Sequence, residues 1–491
     1  MIDRLVLVTG ANGYIASRLI PPLLRRGYRV RLMVRSPERL AGRLWLPQVE
    51  VRRATTTDTE SLAAVMAGVH TAYYLIHSMS SGRGYTEIER ESARRFAAAA
   101  EVAGVQHIIY LGGLANPSDP HLAPHMRSRI ETGEILRRGR VPVTEFRAGV
   151  ITGAGSISFE MIRFLTEFFP ILPGPNWLRN EAQPIASENV IDYLIAGLEK
   201  PEARGGIYEM GGPERMQYGD VMLRYARHRG LKRSLFTLPG IPIWWMATMV
   251  DRLTPVPYPI ATALIGGLRS DSSVMDKSAR HMFPEIKLVS YGEAVGAALN
   301  DLAPSRLERV WEGMGRDAAD FRHEGFIVDY RRRAVDAPAS VVFEQLMRIG
   351  GHNRWPFADW LWRLRGWMDG LLSTPRARRS TAKENAVMRT AATGDTDDPG
   401  LNIGQEVDCY RVEALEPGCL LRLYSTLRAP GEGWLEWRAQ PQTPETSWLA
   451  QTAFFAPRGL PGFLYWFVLG PIHRFVFRGL IEALKRRSEA A

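Results

Sequence analysis

A chain of 491 residues with 45% hydrophobic content exceeds what one core organises, so two domains are expected. Two cysteines, Cys409 and Cys419, exclude a disulfide framework and read as free thiols in a reducing compartment. The formal net charge of +10 is scattered among acids and apolar positions, which speaks against nucleic acid as a partner.

Residues 5 to 16 read Leu-Val-Leu-Val-Thr-Gly-Ala-Asn-Gly-Tyr-Ile-Ala, an apolar strand that breaks into a glycine turn and then opens a helix. With the strand beginning almost at Met1 and no leader ahead of it, a cytoplasmic location is expected. Gly10 permits the tight turn, Gly13 lets backbone N–H groups approach a pyrophosphate, and Ala16 lets the helix pack closely on the strand. Those amides, at the positive end of the helix dipole, suit phosphates. A second strand, Tyr28 to Val34, arrives where a βαβ unit requires it and ends at Arg35. An acid there binds the ribose 2′-hydroxyl of NAD. An Arg favours the 2′-phosphate, so NADP(H) is the cofactor implied.

A helix is expected from Asp58 to Ala67, a strand from Thr71 to Ile76, and a helix from Tyr85 to Ala103 closed by Gly104. Strands from Gln106 to Leu111 and from Val143 to Arg147 follow. This rhythm predicts a Rossmann-type, doubly wound parallel sheet of the α/β class. From 148 to 300 the texture changes to helices broken by Pro and Gly, read as insertions on the substrate side of a domain covering 1–315. A polar linker from Glu312 to Glu324 leads to a second domain, 325–491. There a strand from Phe326 to Asp336 and a helix through Met347 precede strands at 406–415, 420–427, 434–439 and 448–455. A terminal helix from Gly462 to Arg487, interrupted at Gly470-Pro471, completes it. An α+β antiparallel sheet gripping a long helix accommodates this order and encloses an apolar cavity.

Arg363, Arg365, Arg376, Arg378 and Arg379 lie near Trp360, Trp362 and Trp367, a pairing that suits an anionic lipid surface or a phosphate-bearing ligand as well as RNA, with packing by snorkelled Arg stems the favoured reading. The apolar run Phe463 to Leu469 is too short to span a bilayer; it packs on the sheet or lies in a membrane interface. Pro239 to Met249, with Trp244 and Trp245, presents the same two possibilities. Peripheral contact with the inner membrane surface is therefore expected alongside the cytoplasmic location.

The first three hundred residues resemble the atypical short-chain dehydrogenase/reductases of the NmrA-like and epimerase-like branch. The resemblance rests on Thr9-Gly-Ala-Asn-Gly-Tyr-Ile, Val34-Arg35 and Thr144-Glu-Phe-Arg147. More narrowly, Tyr74-Leu-Ile-His-Ser-Met79, Tyr110-Leu-Gly-Gly-Leu114, Arg127 to Gly133 and Gln183-Pro-Ile-Ala186 resemble a bacterial branch carrying a C-terminal DUF2867 domain. Ala358 to Gly366, Phe455 to Leu460 and His473 to Arg478 continue that likeness, which is looser toward helix-grip, SRPBCC-like folds. The resemblance implies that Gly10, Asn12, Gly13, Tyr14 and Ile15 bind the pyrophosphate, Arg35 the 2′-phosphate and Asp58 the adenine edge. It places Leu75, Ile76 and His77 beside the nicotinamide ribose. Leu372 to Arg379 departs from a glycine-rich stretch in relatives.

Carbonyl reducers of this superfamily use a Tyr-x-x-x-Lys pair and a Ser. Here the strand that should deliver Ser ends in Gly112-Gly113, and the pair's equivalents are His125 and Arg129. In one reading His125 donates a proton with a pKa near neutrality, Arg129 serves as a fixed cation, and His77 is a reserve donor. The protein is then an NADP(H)-dependent oxidoreductase acting on an apolar carbonyl or quinone-like substrate. In the others it is a catalytically silent NADP(H) sensor, or a membrane-surface scaffold. Histidines and carboxylates show no metal-ligand spacing, so no metal is expected, and Gly153 to Ser158 is not a nucleophile elbow.

Overall fold

The computed structural model describes residues 2–77, 84–307, 311, 317–350, 354–361 and 400–491. Ser78 and Met79 of the Tyr74–Met79 motif lie outside these residues, as do Trp362, Trp367, the Arg363–Arg379 cluster and the Leu372–Arg379 departure. The chain divides into two compact units, Met1–Met314 and Gly315–Ala491.

In the first unit, β1 (Ile2–Thr9), α1 (Tyr14–Arg25), β2 (Tyr28–Val34), β3 (Glu50–Arg53), α2 (Thr59–Met66), β4 (Thr71–Tyr74), α3 (Tyr85–Val102), β5 (His107–Gly113), α4 (Pro124–Arg137) and β6 (Val143–Ala148) follow the predicted alternation. Next come β7 (Ile151–Thr152), α5 (Ile157–Phe168), β8 (Ile171–Gly174), β9 (Glu181–Ala182), β10 (Ile185–Ala186), α6 (Ser187–Glu199), β11 (Ile207–Met210), β12 (Met216–Gln217), α7 (Tyr218–His228) and β13 (Ser234–Thr237). Helices α8 (Ile243–Leu253), α9 (Tyr258–Gly267), α10 (Ser278–Met282) and α11 (Tyr291–Asn300) close the unit.

The main sheet has the order β11-β6-β5-β4-β1-β2-β3, all parallel. Two-residue alternation sends Val6, Val8, Tyr73 and Ile109 into the core that includes Leu19 and Ile20 of α1 and Leu194 of α6. Leu5, Leu7, Tyr74 and Ile108 point the other way, into the core with Val65 of α2 and Phe96 of α3. Both faces are thus covered, as a parallel sheet requires. The strand order reverses between β1 and β4, which puts a ligand crevice outside their carboxyl ends.

Strand β11 corrects the sequence reading: the segment 148–300 is not wholly insertion, because Tyr208 and Met210 pair beside β6 and extend the main sheet. Its signal was a short run, Ile207 to Met210, bracketed by the Gly205-Gly206 and Gly211-Gly212 pairs.

The second unit is an antiparallel sheet of β14 (Ala318–His323), β15 (Phe326–Val335), β16 (Glu406–Val407), β17 (Tyr410–Glu416), β18 (Leu420–Ser425), β19 (Gly431–Pro441) and β20 (Ser447–Pro457). Its order is β14-β15-β20-β19-β18-β17-β16, with helices α12 (Ala339–Met347) and α13 (Gly459–Glu489). Part of the expected linker is strand: Ala318 to His323 pair with β15 through a two-residue turn at Glu324 and Gly325, both at positive φ. A charged edge strand reads like a loop in sequence because its outer side faces water.

Helix α13 also differs from expectation. It runs unbroken through Gly470-Pro471. Proline removes one intrahelical hydrogen bond, and packing on either side offsets that loss. Phe455 stacks on Trp466 at 5.2 Å, and Gln451 accepts from the Trp437 indole while donating to the Phe477 carbonyl.

Candidate functional site

The turn between β1 and α1 is built around Gly10, whose φ of +65° is left-handed; a Cβ there would stand 3.0 Å from the Leu75 carbonyl oxygen. Gly10 therefore lets β1 close directly against the end of β4. The Gly13 N–H donates to the Gly10 carbonyl at 2.7 Å, and Gly13 then caps α1 without any side-chain acceptor. A helix start lacking a side-chain cap leaves first-turn amides to an outside acceptor, and an anion suits them best. The Thr9 hydroxyl, donating to the Tyr73 carbonyl and accepting from the Leu75 amide, ties the loop to β4. Ala16 is buried against the sheet, as its small size suggested.

Asn12 is exposed in this turn, and Ile15 is half-buried in the first turn of α1. The Tyr14 side chain turns elsewhere: its ring lies under the Arg18 guanidinium at 4.5 Å and its hydroxyl sits against Gly153. Its contribution at the helix start is its backbone amide. Arg35 is exposed at the carboxyl end of β2. Leu75 and Ile76 follow β4, partly buried against opposite cores, with His77 exposed beyond them.

Asp58 has a structural task in addition to the role the resemblance implies. Its carboxylate caps α2, accepting from the Glu60 and Ser61 amides at 3.2 and 3.4 Å, and hydrogen bonds from Ser61 hold it below its usual pKa. The residue thought to mark the adenine edge is engaged as a helix cap.

At the end of β5, beside β6, Gly112 and Gly113 stand where the resemblance leads one to expect Ser, and both lie close to neighbouring side chains. A Cβ on Gly113 would meet Met126 Cε of α4 at 2.7 Å, and one on Gly112 would meet the Tyr110 ring at 3.2 Å. His125, Met126 and Arg129 come from the first turns of α4, and the Arg129 stem lies 4.0 Å from that same Gly113 position. The helix thus delivers His125 and Arg129 to the end of the sheet at the spacing expected.

The chemistry of His125 differs from expectation. It is 7% exposed, and burial followed by the Arg129 charge pushes its pKa down to about 4. Instead of titrating near neutrality it is a neutral imidazole at pH 7, a hydrogen-bond donor and acceptor rather than an acid.

His125 lines a cavity of about 230 Å³ within the first unit, reached from the ends of β5 and β6 by Leu114, Ala115, Ala148 and Gly149. Met161, Leu165, Leu172 and Met246 make the wall strongly apolar. Two buried polar atoms on that wall, His125 Nδ1 and Ser270 Oγ, have no hydrogen-bond partner among the described residues. Tyr218 of α7 joins them, its phenol held protonated by burial. Neither Ser270 nor Tyr218 carried a sequence signal, because each is brought in by loop and helix packing far from the glycine motif. Ser272, beside them, donates to the Leu114 carbonyl, while Gln183 of the Gln183–Ala186 motif accepts from the Val274 amide and donates to the Gly212 carbonyl. That motif fastens the cavity wall.

A separate cavity of about 460 Å³ lies within the second unit, between β18–β20 and α13, lined by Trp434, Phe454, Trp466 and Phe477.

Comparison with known proteins agrees with this geometry. A family model described as NAD(P)H-binding matches residues 10–148, and one described as a protein of unknown function, DUF2867, matches residues 325–480. The chain is 33% identical over 109 residues to 3 beta-hydroxysteroid dehydrogenase/Delta 5-->4-isomerase of Mycobacterium tuberculosis, spanning 22% of this chain but only 28% of that relative's length. It is 24% identical over 251 residues to the ceramide reductase of Caulobacter vibrioides, 50% of this chain and 77% of that one. The triphenylmethane reductase of Citrobacter sp. complexed with NADP(H) aligns with a TM-score of 0.48 at 20% identity, over 59% of this chain and 99% of its own. Two family models thus match separate stretches of the chain, the NAD(P)H-binding one within the first unit and DUF2867 within the second.

Proposed function

We propose that the protein is a short-chain-reductase-like, NADP(H)-dependent oxidoreductase that reduces a carbonyl or quinone-like group carried by an apolar molecule. The observation that carries this reading is the cavity at the ends of β5 and β6. It is apolar nearly throughout, yet two residues that line it, His125 and Ser270, each keep a buried polar atom, Nδ1 and Oγ, without a partner among the described residues. A buried polar atom left unpaired costs about 1–3 kcal/mol, and a ligand oxygen relieves that cost.

The nicotinamide, when bound, supplies a hydride. The amides opening α1 hold its phosphates, and Arg35 pairs with the 2′-phosphate through charge-assisted bonds. Arg129 supplies a permanent cation near the ribose end of the crevice, since a guanidinium does not deprotonate at working pH. His125, neutral, donates a hydrogen bond to the substrate oxygen as negative charge grows there, and the proton that completes the alcohol comes from water. Hydrophobic walls exclude bulk solvent and strengthen that interaction.

For the second unit our reading is a helix-grip fold whose cavity would accept an apolar, lipid-like ligand, supported by its antiparallel sheet, its long terminal helix and the aromatic lining between them. We place the protein in the cytoplasm with access to the inner membrane surface. The test is NADPH oxidation against a panel of quinones and long-chain carbonyls. Turnover on at least one class supports the reading. Tight NADPH binding with no turnover on any of them replaces it with the sensor reading.

A further inference from the structure

Strands β8 and β13 form a parallel two-stranded ribbon, Ile171 opposite Ser234 and Pro173 opposite Phe236. One side of this ribbon faces solvent with apolar groups, Ile171 62% and Phe236 57% exposed. Leu238 continues the exposed side, and Pro239-Gly240-Ile241-Pro242 then leads into α8. In its first turn Trp244 is 62% and Trp245 42% exposed. Paired exposed Trp residues beside exposed Phe, Ile and Leu are an interaction surface, and Trp is the side chain that best suits a bilayer headgroup region.

This surface runs into the substrate cavity. Trp245 is exposed and also lines that cavity, together with Met246 and Met249 on the same helix and Leu172 and Pro173 of the ribbon. Charge then selects the partner. From 232 to 269 the chain carries Lys232, Arg233, Arg252 and Arg269 against the single acid Asp251, whose carboxylate accepts from the Tyr258 amide at the α8–α9 turn. Arg233 also donates to the Thr166 and Glu167 carbonyls and Arg269 lies over the Trp177 ring, but the segment that carries the exposed Trp residues keeps a net positive charge, which complements anionic lipid.

We infer that the β8–β13 ribbon and the start of α8 dock on an anionic bilayer with Trp244 and Trp245 inserted, so that an apolar substrate passes from lipid into the cavity. The inference rests on the substrate class proposed above and makes that substrate a membrane-resident amphiphile.

The test uses the full chain and sedimentation with vesicles of phosphatidylcholine containing one third phosphatidylglycerol, or of phosphatidylcholine alone. Binding is expected to be about tenfold stronger to the anionic vesicles and reversed by salt. The Trp244→Glu, Trp245→Glu double variant is expected to lose at least about tenfold of it, with NADPH binding unchanged as the check on folding. Val468→Glu alters the other exposed apolar stripe, Leu464, Phe467, Val468, Ile472 and Phe475 on α13, and is expected to leave binding intact. Absence of vesicle binding overturns the inference. So does loss in Val468→Glu with retention in the Trp double variant, or a Trp-dependent dimer that ignores vesicles. NADPH oxidation against the quinone and long-chain carbonyl panel, dispersed in detergent without vesicles, is read separately: no turnover on any of them removes the reductase reading, whereas failed sedimentation removes only the docking.

Discussion

Replacing His125 with Leu separates the chemistry of the site from its stability, because the two move in opposite directions. The imidazole is 7% exposed with Nδ1 unpartnered among the described residues, so the wild-type protein carries an uncompensated polar atom in an apolar wall. Leu removes that cost of about 1–3 kcal/mol and fills most of the space, so stability at pH 7 is expected to hold or rise. Turnover is expected to fall about 10²- to 10³-fold, the usual loss when one preorganised donor to a developing oxyanion is deleted. The pH dependence adds a second readout. With the folded pKa at about 4, against 6.5 when unfolded, the unfolded chain takes up the proton first as pH drops below 6.5. Stability therefore declines between pH 6.5 and about 4 and levels off below, by about 3 kcal/mol for this residue. His107, buried and also held near 4, contributes a similar slope, but it does so in both proteins. Urea midpoints of wild type and His125→Leu at pH 7 and pH 4 isolate the difference. The reasoning is refuted if the two proteins lose stability equally on acidification, or if the variant turns over like wild type.

Gly10→Ala forces Ala into a left-handed conformation and sets a Cβ 3.0 Å from the Leu75 carbonyl. It should cost about 1–2 kcal/mol of stability and at least about tenfold in NADPH affinity; a variant that binds normally contradicts the packing described. Asp58→Ala should lower Tm by about 2 to 4 °C through loss of the α2 cap while NADPH affinity stays the same, and a selective loss of affinity would restore the adenine role. Arg422→Met removes the 2.8 Å partner of Glu436, 1% exposed, and leaves it to Arg438 at 3.2 Å, so the second unit should lose about 1.5–3 kcal/mol in urea unfolding; a neutral effect would show the Arg422 bond to be dispensable.

The first βαβ unit was legible because each level of the sequence agrees: an apolar strand, glycines where backbone must approach backbone, a small residue at the helix contact, and an Arg at the second strand's end. Strand β14 was not legible, since Ala318 to His323 lie at a sheet edge where charge is tolerated and apolar periodicity fades. Local propensity misled at Gly470-Pro471, where tertiary packing overrides a breaker. The helix start at Asp58-Thr59-Glu60-Ser61 was legible from its capping chemistry, and the structure shows the Asp58 carboxylate as that cap. The position of His125 could be inferred from spacing. Its protonation could not, because burial and the charge of Arg129 are set by residues remote in sequence. Ser270 and Tyr218 were invisible for the same reason.

In the proposed function the amides at the start of α1 hold a dinucleotide and Arg35 selects its phosphorylated form. Titrating the fluorescence of NADPH and NADH with wild type and Arg35→Ala tests it directly. Wild type is expected to bind NADPH about 10- to 100-fold more tightly than NADH, and the variant to bind both nearly equally, from the loss of one or more charge-assisted bonds. Equal affinities in wild type contradict the role of Arg35, and no binding of either nucleotide contradicts the site itself.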